Sequence, residues 1–68
     1  MLGLKVDNFR QIQKDNNFDD AAIAKYIGVS HSTVWRILNG KMQPGADFIS
    51  AILVAFPDAK FEDLFFVS

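Results

Sequence analysis

The sequence predicts an all-α domain, a compact bundle of five short helices. Three observations predict it. Apolar residues recur at spacings of three and four along most of the chain. Two segments carry matched start and stop signals, Asp19 with Gly28 and Ser30 with Gly40. The connections are short and punctuated by Asn, Gly and Pro. With 68 residues the chain is one domain, spanning 1–68. That is near the lower size limit for a core without covalent or metal staples. Half of the residues are hydrophobic and seven are Phe, which is enough apolar side chain for a real core.

The first helix is expected over residues 2–15, where Leu2, Val6, Phe9 and Ile12 form one stripe. Lys5, Arg10, Gln13 and Lys14 fall off that stripe. The stretch "DNNF" then breaks the pattern, because Asn favours turns and helix ends. Asp19 is a good N-cap: its carboxylate can accept from free N–H groups of the next turn. Ala21, Ile23, Ala24 and Ile27 make the second helix compact and small-sided, and Gly28 stops it. Val29 plugs the turn.

Ser30 caps the third helix, about His31 to Asn39. At about 100° per residue, Val34, Ile37 and Leu38 cluster on one face. Ser32, Arg36 and Asn39 point the opposite way, Trp35 lies on the border, and His31 sits at the exposed N-terminal end. Gly40 ends the helix and "KMQPG" is a loop. A fourth helix follows from about Ala46 to Ala55, with Phe48, Ile49, Ile52, Leu53 and Phe56 apolar and Pro57 as the stop. The stretch "ILVAF" suits a buried helix end better than a strand, given its length and the Pro after it. "AKFEDLFFV" predicts a fifth helix with Phe61, Leu64 and Phe65 inward.

Several function classes find nothing to build on. There is no Cys, hence no disulfide framework and no thiolate metal site. One His, no glycine-rich phosphate loop and no spaced carboxylate cluster leave no basis for an enzyme, a cofactor site or a small-molecule site. No apolar run approaches the roughly 18 residues of a membrane span, and "MLGLKVDNFR" lacks the pattern of an export signal. The expected location is therefore cytoplasmic. The net charge of −1 hides an asymmetry. Between Asp20 and Asp47 there is no acid, while Lys25, His31, Arg36 and Lys41 all lie there. A two-sided field follows, positive on the central segment.

Two short helices joined by a tight turn in "DDAAIAKYIGVSHSTVWRILNG", about residues 20–39, read as a helix-turn-helix. Ala24 lets the helices approach, Gly28 makes the turn, Val29 fills the junction, and Val34 and Ile37 hold the second helix on the first. A helix held in this way projects its outer face, which suits a B-DNA major groove.

The chain here resembles the phage repressor and Cro-type helix-turn-helix family, the Xre family, from about Phe9 to Phe65. The residues carrying the resemblance are "IAKYIGVSHSTVWRILNGK" with a following Pro, an apolar helix, and "FEDLF". It implies a lambda-repressor-like five-helix fold and a transcriptional regulator that binds a double-stranded DNA operator, usually as a dimer. It implies base reading by His31, Ser32 and Arg36, and backbone contacts from Ser30, Asn39 and Lys41. Thr33 and Trp35 are further backbone-contact candidates on the same helix, Trp35 through packing or a thymine methyl unless it only shields the helix edge. The chain departs from the family pattern at Asp20, where Gln often opens the second helix and meets a phosphate. It departs also at Gln13, where Arg is frequent, and at Phe56-Pro57 in place of Leu-Gly. Asp20 and Gln13, with the net negative charge, favour a rival reading: a protein-interaction module such as an antirepressor or adaptor. Phe66 and Val67 extend beyond the last expected core turn and are the candidate seam of a weak homodimer.

Overall fold

The computed structural model describes residues 1–68. Its elements run β1 (Leu2–Leu4), α1 (Val6–Asn16), α2 (Asp20–Ile27), α3 (His31–Leu38), α4 (Ala46–Ala55), α5 (Phe61–Leu64) and β2 (Phe65–Val67). The five helices are those expected. The two strands are not, so the molecule is mostly helical rather than all-α. No helix is long and apolar enough to cross a membrane.

The local signals act as their chemistry requires. Asp19 accepts the Ala22 amide at 2.7 Å and so caps α2. Ser30 accepts the Thr33 amide at 3.1 Å and so caps α3. Gly28 ends α2 in the left-handed region at φ +81°, where a Cβ would be strained. Asn17 adopts the same conformation after α1. Removing the α2 cap alone, with Asp19→Ala, is expected to cost about 1 kcal/mol of stability. Chemical denaturation checks it, and a variant as stable as the parent would show that solvent replaces the cap without loss.

Eleven buried apolar residues form one core, drawn from every element. Phe9, Ile23, Val34, Ile52 and Leu64 are sealed completely. Phe48 meets Phe65 edge-on with ring centroids 6.3 Å apart, a favoured arrangement of aromatic quadrupoles. Ala24 is also buried, and its small side chain permits the close packing of α2 against α3.

Three expectations at the chain ends are corrected. Residues 2–4 do not extend the first helix; they form β1, and α1 begins at Val6. Val6 is correspondingly exposed. The fifth helix is confined to Phe61–Leu64, and Phe65–Val67 form β2, antiparallel to β1 with Leu2 opposite Val67, Gly3 opposite Phe66 and Leu4 opposite Phe65. Phe61, expected inward, is 40 % exposed, whereas Leu64 and Phe65 are buried as expected. The reason is the change of period. A strand alternates faces, so Leu4 and Phe65, paired across the ribbon, both turn into the core. Helix three is one residue shorter than expected, with Asn39 as its C-cap.

Candidate nucleic-acid interface

The helix α3 owes its orientation to three side chains. Val34 and Ile37 are buried in the core and Leu38 packs against it. The opposite face is therefore forced outward, and His31, Ser32, Trp35 and Arg36 are all exposed. Together they line a shallow open depression of about 340 Å³. Trp35 is half-exposed, a large apolar ring kept at the surface beside a guanidinium-bearing residue. No acidic residue lies on the helix.

The remaining candidates from the sequence separate into two groups. Ser30 and Thr33 stand at the N-terminal end of α3, where their hydroxyls bond to each other at 2.8 Å. Asn39 and Lys41 stand at the C-terminal end. The Asn39 amide donates to the Trp35 carbonyl at 2.8 Å, and the Lys41 backbone N–H donates to the Arg36 carbonyl at 2.8 Å. Both side groups of Ser30 and Asn39 are thus partly committed to capping α3. Lys41 keeps an unpaired ammonium, since its side chain makes neither a hydrogen bond nor an ion pair.

Phe66 and Val67 lie away from the outward face of α3, on β2. Phe66 is 44 % exposed, and its ring lies over Gly3 of the neighbouring strand. A Cβ placed on Gly3 would stand 2.7 and 2.9 Å from its Cε1 and Cε2 atoms. Phe66 therefore has a packing role that the sequence did not suggest, while Val67 is largely bare. A groove of about 420 Å³ runs from this ribbon to the C-terminal end of α3, with Met1, Leu2, Val6, Leu38, Met42 and Phe66 among its walls.

One polar cluster escaped the sequence reading. Gln13 is buried in α1, one turn beyond Phe9 on the same face. Its amide donates to Asp20 Oδ1 at 2.8 Å. The Arg10 Nη1 donates to Gln13 Oε1 at 2.8 Å and to the same Asp20 oxygen at 2.6 Å. A closed triad thus ties α1 to the first residue of α2. The signal was available: a glutamine at i+4 from a core phenylalanine needs a polar partner, because a buried amide without one is costly. The partner's identity was not available, since Asp20 reaches it only through the fold.

Gln13's hydrogen bond, above all, holds the Asp20 carboxyl below its ordinary range. Partial burial opposes the effect, and the hydrogen bond and charge of Arg10 and the charge of His31 add to it. The folded value being depressed, the stabilisation is present above the ordinary aspartate value of about 3.9 and is lost as pH falls through the folded value. Asp20→Asn is accordingly expected to be less stable than the parent above about pH 4, with the difference closing as pH falls below that value. An acid profile parallel to that of the parent would mean that ionisation of Asp20 is not linked to folding.

Comparison with known proteins agrees with this geometry. A model of the helix-turn-helix family matches residues 10–64. Over 65 residues, 96 % of this chain and 83 % of the relative, the chain is 38 % identical to YvzC, an uncharacterised HTH-type transcriptional regulator of Bacillus subtilis (strain 168). No solved structure gives a significant match.

Proposed function

The chain belongs to the Xre-type helix-turn-helix family of DNA-binding transcriptional regulators, and from that premise we propose that it is a sequence-specific operator-binding regulator of the phage or mobile-element repressor kind. The observation that carries this reading is α3 itself. Core packing of Val34 and Ile37 turns His31, Ser32, Trp35 and Arg36 to solvent on a helix free of acids. A helix of this kind fills a major groove, where each base pair presents a distinct pattern of donors and acceptors.

In this reading Arg36, Ser32 and His31 read base edges. Trp35 and Thr33 pack near the sugar-phosphate chain. Ser30 and the free N–H groups at the start of α3 favour one phosphate, as helix N-termini do. Asn39 and Lys41 approach another. The mechanism is occupancy of the operator, which blocks polymerase. Affinity comes from a weak two-fold dimer seamed at Phe66 and Val67. The groove that joins β2 to the end of α3 supports this placement, because a seam there sets the separation of two α3 helices directly.

Selection of bound sequences from random duplexes tests the reading, since it reports binding, specificity and half-site spacing together. Enrichment of a two-fold site with half-sites one helical turn apart is the expected result. The absence of salt-sensitive association with mixed duplex DNA at low ionic strength would sink it and favour the adaptor reading instead.

A further inference from the structure

A separate groove is walled by α1, the end of α2 and the turn that follows α4. It holds about 480 Å³, with Ile12, Asp15, Tyr26, Phe56, Pro57 and Asp58 among its walls. A smaller depression of about 280 Å³ continues it past Ile12 and Ala59 to Asp63. Neither part shares a residue with the depression on α3 or with the groove beside Phe66. Three rings stand in file here: the centroids of Phe18 and Tyr26 are 5.0 Å apart, and those of Tyr26 and Phe56 are 5.5 Å apart. Tyr26, in the middle, is 57 % exposed, although both of its neighbours are half-buried. The wall carboxylates Asp15, Asp58 and Asp63 take no part in an ion pair; the one salt bridge of the molecule joins Arg10 to Asp20. Asp15 accepts from the Gln11 amide and Asp63 from the Lys60 backbone N–H, both neutral donors. No Lys, Arg or His lines either part.

We propose that this groove docks a Lys- or Arg-bearing segment of a partner protein, its cation against the Tyr26 ring and beside the Asp15 and Asp58 carboxylates. Rings and carboxylates attract the same kind of group. The face of an aromatic ring is the negative end of its quadrupole and stabilises a nearby cation. The carboxylates add a field of the same sign, and no cation on the walls cancels it. Ile12, Phe56 and Pro57 supply apolar surface for the aliphatic stem that Lys and Arg carry below their charge. The same carboxylates repel phosphate, so a nucleic acid is the wrong occupant. Because the walls share nothing with α3, docking here is independent of DNA binding and leaves the outward face of α3 free.

The test selects binders of the full chain from a library of displayed random peptides, with no DNA present. Enriched peptides should share a Lys or Arg at a fixed position. The strongest is then synthesised and titrated against four proteins, with helical content checked in parallel: the parent, Tyr26→Ala, the double variant Asp15→Asn/Asp58→Asn, and the double variant Asp7→Asn/Asp47→Asn. The last pair removes the same charge from exposed acids outside the groove. Affinity should fall by about fivefold in Tyr26→Ala and in Asp15→Asn/Asp58→Asn, and should stay near parental in Asp7→Asn/Asp47→Asn. Replacing the shared Lys or Arg of the peptide by Gln should cost the parent a similar factor. Amide shifts on titration should move at Asp15, Tyr26 and Asp58 and stay still along α3. Enrichment without a shared cation overturns the proposal, as does a failure to enrich any peptide. Equal losses in the two double Asp variants overturn it too, because the attraction would then be to net charge alone. Asp15→Asn/Asp58→Asn leaves the rings in place and decides the matter should Tyr26→Ala not fold. Parental self-association in sedimentation that Tyr26→Ala or Asp15→Asn/Asp58→Asn abolishes would make the occupant a second copy and overturn the assignment to a partner protein.

Discussion

The Phe66→Glu variant is expected to keep its helices and to lose cooperative operator binding. Phe66 lies on a two-stranded ribbon at the edge of the molecule, with almost half of its surface bare. Its ring covers Gly3 and forms part of a groove with Val6, Leu38 and Met42 among its walls. A carboxylate there would be desolvated in an apolar seam between two copies, at a cost that a weak dimer cannot absorb. In the isolated domain the same carboxylate turns to water, so the core built on Phe9, Ile23, Val34, Ile52 and Leu64 is untouched. Dimerisation makes engagement of the second half-site intramolecular, which raises overall affinity by about 10²–10⁴. The variant should forfeit that factor. Operator titration alongside sedimentation measures both halves of the expectation. A folded variant that still dimerises and binds with parental cooperativity would place the seam elsewhere.

The second large effect concerns specificity. Arg36→Ala is expected to weaken binding and to flatten base preference at one or two positions in each half-site. Arg36 is exposed on the outward face of α3 and forms neither a hydrogen bond nor an ion pair through its side chain within the protein. Its donors are therefore available for a base edge. A bidentate contact to guanine is worth about 1–3 kcal/mol of discrimination. Measured against a panel of single-base operator variants, the substitution should erase that discrimination at the contacted pair and leave it intact elsewhere. Equal weakening across the panel would make Arg36 a phosphate contact.

Much of the candidate site is legible in the sequence because its determinants are local. Ser30 caps α3 through an amide three residues away, and Gly28 stops α2 through its own φ. The angular spacing of Val34, Ile37 and Leu38 settles which face of α3 is buried. From that follows the exposure of Ser32 and Arg36, with no knowledge of the rest of the fold. Asp20 was legible only as an acid at an unfavourable place. Its engagement by Arg10 and Gln13 depends on how α1 crosses the start of α2, which no short-range spacing encodes.

The sequence by itself determined the capped helices, their order, the helix-turn-helix and the outward residues of α3. Each depends on contacts within about one helical turn, where the backbone's own hydrogen bonding makes period and caps decisive. Tertiary structure decided the ribbon, the exposure of Phe61, and the triad. The segments "LGL" and "FFV" are too short for a period of two to be told from a helical one, and Leu2 stands four residues before Val6 by coincidence of spacing. Leu2 and Val67 are opposite each other only when the bundle has closed and brought them together. Strand pairing satisfies amide and carbonyl groups at a distance in sequence, so its energy exists only in the folded chain.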